Sequence, residues 1–165
     1  MKWFYSIVML SILSCQAQSP TLPKENNNMK NTPPKVTRTE AEWKEMLDPE
    51  SYVVLRLDGT ERPNTGKYNI FDEPGKYYCK GCENYLFSSD QKFGSSCGWP
   101  SFYDVNEGAV NYVDDYSLGR HRVEVRCTNC DSHLGHVFKD GPTDKTGLRY
   151  CINSVALNFE PIVKE

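Results

Sequence analysis

The sequence lacks several features that mark common classes of protein. Its 165 residues include 19 Lys and Arg against 22 Asp and Glu, which gives a net charge of −3 without any basic cluster. This pattern argues against nucleic acid as the main partner, because the phosphate backbone is bound by clustered Lys and Arg. No internal repeat is present apart from a C-x-x-C motif that occurs twice. The length predicts one domain rather than two, and we expect it to act as a monomer.

A long apolar run is also missing. The N-terminal run WFYSIVMLSIL, residues 3–13, is too short to span a bilayer as a finished helix. Its basic start at Lys2 and the small residues behind it are typical of a secretory signal peptide. The run ends in ILSC, which is similar to the lipobox of bacterial lipoproteins. We therefore expect residues 1–15 to be a lipoprotein-type signal with Cys15 as the lipidated mature N-terminus; cleavage after Ala17 is the alternative.

Such a signal predicts export to the bacterial cell envelope, facing the periplasm or the exterior. The lipid on Cys15 would be the only membrane contact. Residues 16–36 follow, with four prolines and four asparagines but few sizeable apolar groups, too few to build a core. We expect them to form a disordered tether with a root-mean-square span of about 25 Å.

Residues 37–165 are predicted to form a mainly β domain with small N-terminal helices. Thr39 and Glu42 form a T-x-x-E capping box, and Asp48-Pro49 starts a second helix. Between these signals three apolar residues at helical spacing share one face of the first helix: Trp43, Met46 and Leu47. Later segments are rich in β-branched and aromatic residues and predict antiparallel strands; they are KYYC, NYLF, HRVEVRC, GHVF and LRYCINSVALNF.

Four of the seven cysteines form the two C-x-x-C pairs, Cys79/Cys82 and Cys127/Cys130, separated by 44 residues. Each pair follows a strand-like segment, so that a tight turn points both thiols at one spot. Two such turns predict a tetrahedral S₄ site that suits structural Zn²⁺, with no coordination position left for chemistry. Disulfides are the alternative in an exported protein, and a redox C-x-x-C is a further one.

Setting aside Cys15 leaves Cys97 and Cys151. Strand alternation in LRYCINSVAL places Cys151 on one face with Arg149 and Asn153. A guanidinium beside a thiol favours the thiolate, so we expect Arg149 to lower the pKa of Cys151. The alternative is a small buried cysteine with no reactivity.

Cys97 lies in KFGSSCGWPSF, where glycines predict a mobile loop that could bring a second cysteine to the first. Trp99 is unusual in such a loop unless something packs on it, and capping the core is the simpler interpretation. Two of the three histidines, His133 and His136, flank a glycine turn after the second C-x-x-C. His121 lies in a charged strand and is interpreted as a solvated surface group.

Together these motifs resemble, in the same order, those of the B-type methionine sulfoxide reductases, which reduce the R epimer of methionine sulfoxide. The motifs are GTERPNTGKYN, the first C-x-x-C, KFGSSCGWPSF, CTNCDSHLGHVF and GLRYCINS. The loop KDGPTDKTG and Ser96 depart from the commonest pattern, but neither carries chemistry. The resemblance implies a fold of two antiparallel sheets, a structural zinc ion, and oxidised methionine residues in proteins as substrate.

The resemblance also implies roles for individual residues. Cys151 is the expected catalytic nucleophile, and Cys97 is the expected resolving cysteine of the two-cysteine subtype. Other matching positions are the pocket residues His133, His136 and Asn153, the methyl-accepting wall Trp99, the supporting pair Arg149 and Asp140, and the zinc ligands Cys79, Cys82, Cys127 and Cys130.

The implied reaction repairs oxidative damage. Cys151 attacks the sulfoxide and becomes a sulfenic acid, Cys97 forms a disulfide with it, and a thioredoxin-like reductant resets the pair. Two other classes stay open on the residues alone. One is a zinc-stapled binding module without turnover, and the other is a thiol–disulfide oxidoreductase that uses a C-x-x-C.

Overall fold

The computed structural model describes residues 19–23 and 34–163. The predicted signal at 1–15 and the predicted lipidation site Cys15 lie outside the described residues, as does most of the predicted tether. Of that tether, Leu22 and Val36 are partly buried against the core, and the Val36 N–H donates to the carbonyl of Asn129 at 2.8 Å. No helix among the described residues is long and apolar enough to cross a membrane.

Two short helices open the domain, as predicted. Helix α1, Glu40–Met46, has Thr39 as N-cap with the full capping box, and α2, Pro49–Leu57, has Asp48 as N-cap and a proline in its first turn. Trp43 and Leu47 are buried, whereas Met46 is 44% exposed. The prediction that Met46 shares one face with Trp43 and Leu47 was therefore wrong: α1 ends at Met46, and Leu47 turns inward from the C-cap position.

The described residues form two antiparallel sheets, which confirms the predicted fold class. A three-stranded sheet has the order β2-β1-β9, and a six-stranded sheet has the order β3-β4-β8-β7-β6-β5. The strands are β1 Gly75–Cys79, β2 Tyr85–Ser88, β3 Lys92–Phe93, β4 Ser101–Phe102, β5 Val110–Asp115, β6 Arg122–Cys127, β7 His133–Phe138, β8 Arg149–Ile152 and β9 Leu157–Pro161.

The segment LRYCINSVALNF is two strands rather than one. Strand β8 belongs to the large sheet, a 3₁₀ turn follows at Ser154–Ala156, and β9 then joins the small sheet. Within β8 the predicted alternation is confirmed, because Tyr150 and Ile152 are buried while Arg149 and Cys151 are half-buried. The turn after Cys151 therefore links the two sheets directly behind the cysteine.

Aromatic rings hold the two sheets together. The ring of Phe87, on β2, stacks on that of Phe102, on β4, with centroids 4.3 Å apart, and Tyr77, on β1, packs edge-on against Phe102 at 5.1 Å. All three side chains are fully buried. Burial of side chains of this size contributes roughly 2–3 kcal/mol each, so they fix β4 in place beside β8. Strand β4 in turn pairs Ser101 opposite Cys151.

Candidate active site

A cavity of about 300 Å³ opens beside β8, and Cys151 lines it. Both polar and apolar side chains form its other walls, and only some of them were predicted from the sequence. The residues that line it with Cys151 include Trp99, Arg122, His136, Phe138 and Asn153. Cys97 is not among the residues that line the cavity.

Cys97 lies directly behind Cys151. The two sulfur atoms are 3.6 Å apart, and the Cys97 sulfur is also 3.3 Å from the hydroxyl of Ser101. The loop that carries Cys97 is anchored at Gly98, whose carbonyl accepts from the Asn64 N–H at 2.8 Å. Gly98 has φ +95°, which favours glycine, and a Cβ there would lie only 2.8 Å from Cβ of Pro63. Cys97 therefore needs no large loop movement to reach Cys151.

The acidity of the two thiols differs from the prediction. Burial raises the pKa of Cys151 to about 12, and the opposing effect of Arg149 is smaller. Burial also disfavours the thiolate of Cys97, but hydrogen bonds, chiefly with Ser101 and Ser95, outweigh it and lower the pKa of Cys97 to about 7. Arg149 thus lowers the pKa of Cys151 in the predicted direction, but burial and the neighbouring Cys97 thiol raise it by more. Because the two sulfurs are in contact, they titrate as a pair that loses its first proton near neutral pH.

The two predicted pocket histidines have different positions. His136 lines the cavity, and its Nε2 lies 2.8 Å from the Asp115 carboxylate. His133 is 2% exposed, lies behind His136 with ring centroids 5.5 Å apart, and pairs through Nδ1 with Glu124 at 2.6 Å. Only His136 therefore presents its ring to a bound molecule in the cavity. His121, interpreted as a surface group, is exposed.

Sequence reasoning did not single out Asp115. Its Oδ2 accepts from the Arg122 guanidinium at 2.5 Å and contacts His136, so that one carboxylate positions two cavity-lining side chains. Burial raises the pKa of Asp115, but hydrogen bonds with Ser117 and His136 outweigh this and lower it strongly. The register pairs Asp115 opposite Arg122 across the β5–β6 hairpin. Residues of opposite charge on either side of a predicted hairpin turn are the sequence signal that could have revealed this pair.

Gly135 explains how β7 approaches β8 so closely. A Cβ at this position would overlap the carbonyl oxygen of Cys151 and would lie 3.0 Å from Cα of Ile152. Glycine is thus required by the close passage of the two backbones. The consequence is that His136, the next residue on β7, pairs opposite Cys151.

Asn153 and Trp99 are held by a residue that sequence reasoning did not identify, Glu61. The backbone N–H of Glu61 donates to the Asn153 side-chain oxygen at 3.1 Å, and its carbonyl accepts from the Trp99 indole N–H at 3.2 Å. The Glu61 carboxylate accepts from the N–H groups of Ser154 and Val155 at 2.6 and 3.0 Å. Glu61 is 4% exposed. It thereby ties two cavity walls to the turn behind Cys151.

Glu61→Gln is expected to lower the free energy of unfolding by about 1–3 kcal/mol, because the amide leaves one buried backbone N–H facing an N–H₂ group. Glu107→Gln, at an exposed glutamate, is the matched control and should change stability by less than about 0.5 kcal/mol. Urea unfolding of both variants measures the difference. Equal stabilities would show that the carboxylate of Glu61 does not hold the turn.

Arg149 and Asp140 lie apart from the residues that line the cavity. The Arg149 guanidinium donates to both oxygens of Asp140 at 2.9 and 2.8 Å and lies 4.6 Å above the ring of Phe138. Phe138 itself lines the cavity. Arg149 and Asp140 therefore support a wall and do not contact a molecule in the cavity directly.

The four C-x-x-C sulfurs converge at the ends of β1 and β6. All four lie within 4.8 Å of one another, with 3.7 Å between Cys79 and Cys130 and 3.5 Å between Cys82 and Cys127. A tetrahedral site with metal–sulfur bonds of about 2.3 Å has sulfur–sulfur edges of about 3.8 Å. Hydrogen bonding with Cys127 raises the pKa of both Cys79 and Cys82, so the four sulfurs cannot all carry charge without a cation. The donor set fits a structural metal site.

Comparison with known proteins places the chain. The profile of the family described as "SelR domain" matches residues 47–161. The chain belongs to the SelR family. Proteins named "Peptide methionine sulfoxide reductase MsrB" are similar to it: one from Pseudomonas putida (strain W619) at 56% identity over 128 residues, covering 77% of this chain and 96% of that protein. Another, from Agrobacterium fabrum (strain C58 / ATCC 33970), is 52% identical over 132 residues, covering 79% and 97%.

A third SelR-family relative, of the same name, from Pseudomonas savastanoi pv. phaseolicola (strain 1448A / Race 6), is 59% identical over 128 residues, covering 77% and 97%. The predicted resemblance to B-type methionine sulfoxide reductases is thereby confirmed, and the Cys₄ cluster fits the zinc-containing members. Among solved structures, the "Crystal Structure of Mis18 'Yippee-like' Domain" is similar to 56% of this chain and all of that chain, at 19% identity and a TM-score of 0.45.

Proposed function

We propose that this SelR-family oxidoreductase reduces the R epimer of methionine sulfoxide in proteins by a two-cysteine mechanism and so repairs oxidised methionine. One observation carries the proposal: Cys151 lines the cavity while the Cys97 sulfur lies 3.6 Å from it, away from the cavity. A nucleophile must face the substrate, and its resolving partner must reach it without occupying the substrate's place.

In the first step the Cys151 thiolate attacks the sulfoxide sulfur, and the oxygen passes to the Cys151 sulfur. Methionine leaves, reduced by two electrons, and Cys151 is left as a sulfenic acid. Cys97 has the lower pKa and loses its proton first, and the remaining proton can pass from Cys151 to Cys97 because the two sulfurs are 3.6 Å apart, which gives the Cys151 thiolate. Trp99 and Phe138 provide apolar walls for the methyl group and side chain of the substrate.

In the second step the Cys97 thiol attacks the sulfenic acid. A Cys97–Cys151 disulfide forms and water leaves, which accounts for the oxygen. A thioredoxin-like dithiol then reduces the disulfide and is itself oxidised. The register that pairs Ser101 opposite Cys151 holds the Cys97 loop in place for this step.

The sulfoxide oxygen needs a hydrogen-bond donor while charge develops on it. His136 and Arg122 line the cavity, and Asp115 holds both. Burial lowers the pKa of His136, and the Asp115 carboxylate opposes this. We therefore assign His136, positioned by Asp115, as the donor, with His133 supporting its ring from behind.

Asp115→Asn is expected to lower kcat/KM by roughly tenfold to a hundredfold, because the donor loses its positioning and its charge partner. Without the Asp115 charge the pKa of His136 falls further, so the alkaline limb of the pH–rate profile, where the protonated donor is lost, moves to lower pH. Asp114→Asn is the matched control, since Asp114 pairs with exposed His121 at 2.7 Å. Steady-state kinetics across pH measure both variants, and equal profiles would contradict the role of Asp115.

The Cys₄ site is proposed to hold Zn²⁺ as a structural ion. The thiolate donors and near-tetrahedral spacing suit zinc, and the four sulfurs fill its coordination sphere. When bound, the ion joins the end of β1 to the end of β6 and thus the two sheets to each other.

We also propose that the mature chain begins at lipidated Cys15 and is held at the bacterial envelope, facing the periplasm or the exterior. The lipobox-like motif supports this. Pro20 lies close to Gly147, because a Cβ on that glycine would be 2.8 Å from Cγ of Pro20. The mass of the mature N-terminus tests it: a lipid-modified Cys15 is expected, and an unmodified terminus at Gln18 would contradict it.

The activity itself is tested with separated epimers of an oxidised-methionine peptide and a dithiol reductant. We expect repeated turnover of the R epimer and no turnover of the S epimer. A protein that binds zinc but turns over neither epimer would contradict the proposed function.

A further inference from the structure

The mouth of the cavity carries the positive charge of Arg120, and no carboxylate among the described residues that line the cavity neutralises this charge. Arg120 lines the cavity from the turn between β5 and β6, and its side chain is exposed. The guanidinium of Arg120, unlike that of Arg122, makes no hydrogen bond or ion pair within residues 19–23 and 34–163. Such a guanidinium is available to a molecule that enters the cavity.

The acidic groups of this hairpin are already engaged. Asp114 pairs with His121 at 2.7 Å, and Asp115 contacts both Arg122 and His136. No carboxylate lines the cavity itself in the part of the chain that the structure describes. Because the whole chain has a net charge of −3, this mouth is a local positive region on an acidic protein.

Leu118 adds an apolar surface next to this charge. It is 65% exposed and lines the same cavity two residues before Arg120. Gly119 between them has φ +69°, and a Cβ there would meet nothing within 4 Å. The turn thus presents a leucine and a guanidinium together at the entrance, outside the residues assigned to the reaction.

We propose that Arg120 selects oxidised methionines that have a carboxylate beside them, by pairing with that carboxylate while Leu118 packs on the substrate chain. The proposal rests on the proposed reductase function and names a substrate class for it. Adjacent residues of an extended peptide are about 3.8 Å apart at Cα, so a neighbouring acidic side chain lies within reach of a residue at the mouth. The same chemistry is offered by the α-carboxylate of free methionine sulfoxide.

The test compares peptides in which Glu, Gln or Lys flanks R-methionine sulfoxide, together with free R-methionine sulfoxide and its amide. For wild type we expect kcat/KM to fall about threefold from the Glu to the Gln peptide and again to the Lys peptide, the effect of an exposed ion pair. Arg120→Gln should bring the Glu-to-Gln ratio close to one, and Arg120→Glu should invert it. High salt should weaken the wild-type preference.

Lys76→Gln is the matched control, because Lys76 is exposed on β1 and does not line the cavity. It should leave the Glu-to-Gln ratio unchanged. If the ratio stays flat in wild type but the free amino acid outpaces its amide only when Arg120 is present, the α-carboxylate is the ligand and the proposal stands.

The proposal is overturned if wild type shows neither preference, or if a preference survives in Arg120→Gln. Failure of the function is a separate result, since wild type would then reduce none of the substrates, including the neutral peptide. Reduction of all peptides at equal rates, with free R-methionine sulfoxide and its amide also reduced at equal rates, would retain the function and reject the role of Arg120.

Discussion

Cys151→Ser is expected to abolish reduction of methionine sulfoxide, with a loss of more than about a thousandfold in kcat. Serine keeps the size of the side chain, but its hydroxyl cannot accept the oxygen and become a sulfenic acid. The first step is therefore lost, and not only the recycling of the enzyme. Release of methionine from an R-sulfoxide peptide, measured by chromatography, gives the rate.

Two measurements separate this chemical loss from a structural one. The thermal midpoint and zinc content of Cys151→Ser should match wild type, because Cys151 lies apart from the four-sulfur cluster. Trp99→Phe is expected to lose less activity than Cys151→Ser, because it retains an aromatic wall and all thiols. Full activity in Cys151→Ser would mean that another group takes the oxygen and that the cavity assignment is wrong.

Loss of the metal is expected to unfold the domain. Structural zinc contributes an apparent 10–16 kcal/mol in small zinc domains, about as much as the whole stability of an ordinary domain. Here the cluster joins turns 44 residues apart in sequence, so the ion also closes a long loop. Purified protein should contain about one zinc per chain, and a strong chelator should remove its near-ultraviolet circular dichroism.

Cys127→Ser and Cys97→Ser form a matched pair for this prediction. Both remove one thiol, but only Cys127 belongs to the four-sulfur cluster. Cys127→Ser should lose zinc and cooperative unfolding, whereas Cys97→Ser should retain both. Protein that contains no metal and yet unfolds cooperatively would rule out a structural metal at this site.

Local signals in the sequence predicted the elements that depend on neighbouring residues. The capping box at Thr39, the proline start of α2 and the alternation around Cys151 all follow from three- or four-residue patterns. The two cysteine turns belong to the same class, because a C-x-x-C spacing fixes its own geometry. These features could be predicted from the sequence without knowing which strands pair.

Features that depend on contacts between residues far apart in the sequence could not be predicted from local patterns. The residues 148–157 alternate like one strand, yet the chain changes sheet after Ile152 because β9 pairs with β1. Glu61 acquires its role only when the turn at Ser154 folds onto it, 93 residues away. For Cys151 the sign of the Arg149 effect was correct, but its size relative to burial depends on packing that the sequence does not display.

The most direct test of the account uses the Cys97→Ser variant without any reductant. The variant is mixed with an excess of the R- or S-sulfoxide peptide, and both methionine release and the mass of each cysteine-containing fragment are followed. We expect one equivalent of methionine from the R epimer, one added oxygen on Cys151 and no product from the S epimer. Release of methionine from the S epimer, or an oxygen found on a residue other than Cys151, would contradict it.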